Sequence, residues 1–363
     1  MKLKLTSLLL TGLLTVAFYS CVNAQTLPKA EVPGTQVLTY TSKVVAGQEY
    51  QLFINLPVNY ARDSTKTYPV LYLLDGQYDF PLFAGAYSDQ YYDGFLPGII
   101  TVGITWGGRD PDAGTLRGRD FTPTHMANMP QSCNGPKFLE FIKKELIPFI
   151  KSKYRVNEDR ALAGSSLGGL FTLYTLYNDS SLFHRYILTS PSLWWDNGIL
   201  NTWETKYEAT GSSTPVRLFM GQGELEGDPA DLLHLADRLK KVKNVEVHTL
   251  VLENTGHAGT KPEGFSRGLQ WAFERPSLTL TPAILDKYAG VYALGKDTAR
   301  LAAKNGKLAV MPGGDFVLLA ETEKDFYHNG SFLKVHFKTD DAGAVTGFQL
   351  EQFDGEMFFK RVK

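Results

Sequence analysis

Apolar positions along the chain change their period several times, and the changes mark out elements. Val37 to Tyr40 and Tyr50 to Ile54 alternate apolar and polar residues, the period of half-buried strands, and predict antiparallel edge strands that open a sheet. Pro69 to Leu74 and Gly98 to Ile104 are nearly continuous apolar runs, as central strands covered by helices on both faces require. Phe138, Phe141, Ile142, Leu146, Phe149 and Ile150 recur at helical spacing and predict an amphipathic helix over about 136–153, in spite of Pro148. Short strand and helix patterns then alternate as far as residue 274: 160–163, 167–177, 185–188, 216–220, 229–242, 245–252 and 262–273. Such alternation predicts an α/β fold with a mostly parallel central sheet, helices on both faces and right-handed crossovers.

After Arg275-Pro276 and Thr281-Pro282 the pattern shifts to short alternating runs with frequent glycine, among them Leu308 to Val310, Phe316 to Leu318, Phe332 to Phe337 and Met357 to Phe359. We therefore divide the chain into an α/β domain at 25–275, a linker at 276–282 and a small β-barrel-like domain at 283–363. The length of 363 residues agrees with two cores rather than one.

Residues 1–24 fit neither domain. Lys2 and Lys4 precede an apolar run from Leu5 to Phe18, and Val22-Asn23-Ala24 presents small residues for cleavage, the pattern of a secretory signal peptide. The expected location is periplasmic or extracellular. Cys21 as a lipid anchor is the weaker alternative, because Phe18 stands where such sites carry a Leu-like residue. Beyond the leader no run of about 20 apolar residues occurs, so no transmembrane segment is expected in the mature chain. With Cys21 in the leader, Cys133 is left alone and no internal disulfide is expected.

Charge narrows the partners. The chain carries 37 Lys and Arg against 38 Asp and Glu, with no long basic run. That balance supplies no electrostatic footprint for nucleic acid.

Candidate chemistry centres on Gly164-Ser165-Ser166-Leu167-Gly168, placed between a strand ending at Ala163 and a helix starting near Leu167. A G-x-S-x-G sequence in that setting marks a sharp turn that holds the central serine in a strained conformation, with small residues two before and two after. Ser166 is thus the expected nucleophile, and the Leu167 backbone N–H at the helix start is placed to stabilise an oxyanion. A nucleophile at Ser165 would put Leu167 where a small residue is needed.

A serine hydroxyl needs a base. His257 lies in the Gly-flanked loop Asn254 to Gly259, just past the last strand of the sheet, where open α/β sheets place their sites. His248 falls within a strand and His184 and His234 within or beside helices, which points to structural roles, while His328 and His336 lie in the β domain. His125 is at most a substrate contact. The acid should fall between serine and histidine. Gly221 to Pro229 follows a strand in that interval; Glu224, nearest the strand end, is the first choice, Glu226 the second, and Asp228 reads as a helix N-cap before Pro229. The glycines of this stretch are wrongly spaced for a dinucleotide fingerprint, and no HExxH or paired-cysteine pattern occurs. No cofactor and no metal is expected.

Five separated motifs carry a family resemblance: Leu71-Tyr72-Leu73-Leu74-Asp75-Gly76-Gln77, Arg119-Asp120-Phe121-Thr122-Pro123, Ala163 to Leu170, Ser190-Pro191-Ser192-Leu193-Trp194-Trp195 and Gly223-Glu224-Leu225-Glu226. With these, residues 35–275 resemble the esterase D family of α/β-hydrolases, especially its branch of enterobactin-type siderophore esterases. The resemblance implies a second oxyanion N–H from Gln77 and a Ser-His pair whose acid is poorly placed in some members. It implies as substrate a small-molecule or oligosaccharide ester: a siderophore, feruloyl or acetyl ester. Ser165 stands where such proteins often carry histidine. Arg117 and Arg119 are candidates for an anionic or catecholate substrate, with an Arg119–Asp120 ion pair as the competing role, and Trp194 and Trp195 are candidates for an aromatic wall, with packing of at least one as the competing role. The C-terminal part is similar to small lipocalin-like domains appended to secreted hydrolases.

The reading as a whole is a secreted serine esterase working through an acyl-enzyme. Its rivals are an acyltransferase using the same pair and an inert ligand-binding homologue.

Overall fold

The computed structural model describes residues 31–362 apart from positions 63 and 354; the expected leader at 1–24 lies outside the described residues. Strand β1 (Thr35–Thr41) pairs antiparallel with β2 (Glu49–Asn55), Val37 opposite Phe53, and β2 runs antiparallel to β4 (Ile100–Trp106). From there β3 (Tyr68–Leu73), β5 (Val156–Ser165), β6 (Arg185–Thr189), β7 (Val216–Gly223) and β8 (Val245–Leu252) are all parallel, giving the order β1-β2-β4-β3-β5-β6-β7-β8. The central members are buried along their length, Ile100–Trp106 at every position, which explains their unbroken apolar sequence.

Helices α1 (Gly76–Tyr92) and α8 (Thr260–Ala272) cover one face through Phe80, Phe83, Phe265 and Leu269. The other face is covered by α2 (Ala113–Asp120), α3 (Gly135–Phe141), α4 (Ile147–Lys153), α5 (Leu167–Asn178), α6 (Leu200–Thr210) and α7 (Ala230–Leu239), whose core includes Phe138, Phe171 and Leu235. The mostly parallel sheet with helices on both faces is the α/β fold expected. The single helix expected over 136–153 is broken in three: a π turn at Ile142–Leu146 separates α3 from α4. Pro148 cannot donate the i→i−4 bond, and the wider turn before it takes up the change of register. Helix α1 was not foreseen, because Pro81 and Gly85 interrupt an otherwise helical spacing of Phe80, Phe83, Ala84, Tyr87 and Tyr91.

After α9 (Pro282–Tyr288), eight strands from β9 (Gly290–Leu294) to β16 (Gly355–Arg361) form a closed antiparallel barrel, sealed where Arg361 pairs with Tyr292. Its core is a packed one of Leu301, Leu318, Phe326, Phe337 and Phe348, with Tyr288 of α9 stacked on Phe337 at 4.2 Å. Side chains suffice to fill a barrel of this strand number.

The barrel docks on the C-terminal end of α1, where Gly330 N donates to Asp93 O at 2.8 Å, and Arg275, at the end of the α/β domain, donates to both Gly94 O at 3.1 Å and Glu321 Oε2 of the barrel at 2.7 Å. Gly94 has φ +78 and lies so close to the barrel backbone that a Cβ would stand 2.3 Å from Ser331 O. The barrel therefore sits a helix length of α1, roughly 25 Å, from the sheet pole where α1 begins. Among the described residues no helix is long and apolar enough to cross a membrane.

Candidate active site

The sharp turn joining β5 to α5 has the strain that its sequence predicts. Ser166 has φ 59 and ψ −117, a region costly for any residue with a Cβ. Its backbone is held on both sides: Ser166 N donates to Thr189 O at 3.0 Å, while Ser166 O accepts from Leu170 N and Ser192 N. A Cβ on Gly164 would come within 2.7 Å of the Gly168 backbone, so glycine at 164 is what allows strand and helix to close on each other. Gly164→Val is expected to lower kcat at least about 100-fold by displacing the serine, measured by steady-state ester hydrolysis. A wild-type kcat would show that the backbone gives way without moving it. Ser165 is fully buried, whereas Ser166 reaches solvent.

The oxyanion donors expected at Gln77 and Leu167 lie at the starts of α1 and α5, at the ends of paired strands β3 and β5. Leu74 N donates to Ala163 O at 2.9 Å and ties the two turns together. Among the described residues neither the Gln77 nor the Leu167 N–H makes a backbone bond, as first-turn helix donors do not. Such free N–H groups and the helix dipole favour a negative charge.

Two ion pairs brace these loops. Arg117 Nε donates to both Asp75 oxygens, at 2.7 and 2.9 Å, and its Nη2 to Ser165 O at 3.0 Å. One guanidinium thus joins the residue capping α1 to the residue preceding Ser166. Burial raises the Asp75 carboxyl above the ordinary carboxylate range, against the opposing pull of Arg117 and Lys261. Lys261, at the start of α8, donates to Asp79 Oδ1 at 2.7 Å and binds the His257 loop to α1. Arg117→Met leaves a buried carboxylate without its partner, so a loss of about 3 kcal/mol in stability is expected, measured by urea unfolding. Unchanged stability would remove the bracing role.

His257 lies between β8 and α8, and its Nδ1 is 2.5 Å from Glu226 Oε2. The Glu226 side chain is 10% exposed and the imidazole 55%. Glu226 Oε1 accepts three further bonds: from Ser190 Oγ at 2.6 Å, Gly223 N at 2.7 Å and Thr260 Oγ1 at 2.8 Å. Burial alone would raise this carboxyl, but the bonds from Ser190, Gly223, His257 and Thr260 prevail and hold it below the ordinary range. A carboxylate fixed in this way accepts a proton-bearing Nδ1 and leaves the lone pair on Nε2.

Glu224, the first choice from sequence, is not the carboxylate at the imidazole. It is exposed and accepts from Asn254 N at 2.9 Å, anchoring the loop that carries His257. A single 3₁₀ turn at Glu224–Glu226 points the third residue, not the first, back under the end of β7. The signal was present in the sequence: a glutamate three residues after Gly223 is the spacing at which an N3 side chain returns to the N-cap N–H, the bond observed.

Ser166, His257, Glu226 and Trp194 line one cleft of about 910 Å³. Among the described residues no hydrogen bond joins the Ser166 hydroxyl to His257. Trp194, 64% exposed, stands on the rim. Trp195 does not share that wall: it is 1% exposed and donates Nε1 to Thr124 Oγ1. Arg119 is likewise absent from the cleft, because its guanidinium is paired in two bonds with buried Asp120, which also takes bonds from Tyr50, Trp106 and Asn134. His125 is exposed outside the cleft, whereas His234, expected to be structural, lies on its α7 wall.

Fold and cleft together define an α/β-hydrolase, with a serine on the turn after β5 and a histidine after the last parallel strand. The profile of the family described as "Putative esterase" matches residues 42–261, and the chain belongs to that family. It is an esterase. The ferri-bacillibactin esterase BesA of Bacillus subtilis (strain 168) is 29% identical over 265 residues, 66% of this chain and 90% of the relative. The crystal structure of the BES protein from Bacillus cereus superposes with a TM-score of 0.61 at 27% identity, over 68% of this chain and 97% of that one. An IroE-like serine hydrolase from Shewanella oneidensis gives 0.59 at 29% identity, covering 66% and 80%.

Proposed function

We propose that this chain is an exported serine esterase that opens siderophore-type esters, with short or aromatic acyl groups, through an acyl-enzyme. The observation that carries this reading is the arrangement of Ser166, His257 and Glu226 around one cleft. In the proposed reaction His257 Nε2 takes the Ser166 proton as the hydroxyl attacks the ester carbonyl. The Gln77 and Leu167 N–H groups stabilise the oxyanion that forms. The imidazolium, held by Glu226, returns the proton to the leaving alcohol, and water then frees the acyl group by the same steps in reverse order of roles. The siderophore class is supported by the names of relatives such as the ferri-bacillibactin esterase. Feruloyl and acetyl esters on polysaccharides are the wider set this machinery accommodates.

Export rests on the leader pattern of residues 1–24. We also propose that 25–275 is the catalytic domain and 283–363 a separate module, supported by the distance of the barrel from the cleft.

A fluorophosphonate probe followed by peptide mass mapping tests the nucleophile. Modification at Ser166 is expected, and labelling elsewhere or not at all would end the reading. Product masses from a ferric siderophore ester, methyl ferulate, acetylated xylan and simple acetyl esters then assign the substrate class.

A further inference from the structure

The charges lining the cleft are unequal. Four carboxylates line it, Glu204, Glu226, Asp228 and Asp231, against a single guanidinium, that of Arg238. Arg238 is engaged: Nε and Nη2 donate to Glu204 at 2.6 and 3.0 Å, and Glu208 lies 3.9 Å away. Glu226 is taken up by His257 and three donors. Arg117 and Arg119, the residues expected to meet an anionic substrate, are both locked in ion pairs, and neither lines the cleft.

Asp228 and Asp231 remain. They stand before and within the first turn of α7, a helix end whose exposed N–H groups would otherwise present a positive field to the cleft. Asp228 Oδ1 accepts from Ala230 N at 2.9 Å, and both side chains are exposed. The α7 end in this wall therefore carries two negative charges of its own, unlike the starts of α5 and α6, which also meet the cleft at Ser166 and Leu200. Opposite in chemistry are the exposed large apolar side chains of the cleft, Trp194 and Leu225, 64% and 68% exposed.

We infer that the cleft selects esters whose body carries no net negative charge, and favours a cationic group placed against Asp228 and Asp231. This rests on the proposed esterase reading and narrows it: the part of an ester that lies against this wall would be uncharged or amine-bearing. A polyanion would meet carboxylates with no unpaired Lys or Arg in the described cleft wall, and like charges repel even across solvent at low salt.

The test uses the full chain and two matched ester sets. One is p-nitrophenyl hexanoate, 6-trimethylammoniohexanoate and adipate monoester; the other is the acetates of hexanol, 6-trimethylammoniohexanol and 6-hydroxyhexanoate. In at least one set kcat/KM is expected to fall from cationic to neutral to anionic, by about tenfold between the extremes at low salt. The spread should shrink as salt is raised, because these carboxylates are exposed. In the Asp228→Asn/Asp231→Asn double variant the cation-to-anion ratio should approach one; asparagine keeps the oxygen that accepts from Ala230. Equal or higher kcat/KM for the anionic member in both sets would overturn the inference, as would a ratio unchanged in the double variant. Should no ester be hydrolysed and the fluorophosphonate fail to label Ser166, it is the esterase reading that falls.

Discussion

Ser166→Ala is expected to lower kcat on any accepted ester by about 10⁶-fold while leaving the fold intact. The turn is held by backbone bonds, Ser166 N to Thr189 O and Leu170 N to Ser166 O, and these survive loss of the hydroxyl. Alanine keeps the Cβ at φ 59, so the strain is neither relieved nor increased. Residual turnover of about 10³ over water should persist, because the Gln77 and Leu167 N–H groups, proposed as oxyanion donors, and the cleft walls remain. Steady-state kinetics with p-nitrophenyl acetate, alongside a thermal melt, checks both halves. A variant within tenfold of the parent rate would show that another group attacks.

Glu226→Gln is the second large effect, expected to cost about 10⁴-fold in kcat, with Glu224→Gln costing less than about tenfold. The difference follows from donor counting. Ser190 Oγ, Gly223 N and Thr260 Oγ1 all converge on Glu226 Oε1, so a glutamine there must turn its carbonyl oxygen toward them. Its NH₂ then faces His257 Nδ1 and, being a donor, forces the proton onto Nε2. That tautomer cannot accept a proton from serine. Glu224 holds only an exposed backbone N–H of the loop, at Asn254.

Glu226→Gln also carries a pH signature. The Glu226 carboxyl lies below its ordinary value of 4.5 in the fold, so its stabilising contribution is complete above that value and is lost as pH falls through the lowered one. The stability gap between parent and Glu226→Gln should therefore be widest above about 4.5 and narrow in more acid solution, as read from urea midpoints. A gap that widens on acidification would contradict the depressed carboxyl.

Several features were legible in local sequence because they are set by local forces. Continuous apolar runs announced buried parallel strands, since a strand covered on both faces has no polar side. The Gly164 to Gly168 pattern announced a strained turn, because the clash that glycine avoids is between neighbours in the chain. The loop of His257 was readable from its place after the last strand. Helix α1 was missed because proline and glycine lower propensity locally, while burial of Phe83 and Tyr87 against the sheet outweighs it.

What only the tertiary structure decided were choices among equivalent side chains. Glu224 and Glu226 are the same residue type in one loop, and the difference between them is made by donors on three separate segments, Ser190, Gly223 and Thr260, brought together by folding. Trp194 and Trp195 are neighbours in sequence, yet one faces the cleft and the other fills the core beside Thr124. Arg117 and Arg119 looked like anion receptors until Asp75 and Asp120 occupied them. Periodicity and turn chemistry act over a few residues and can be read along the chain. Which polar group is left free depends on partners distant in sequence, and only packing in three dimensions sets that.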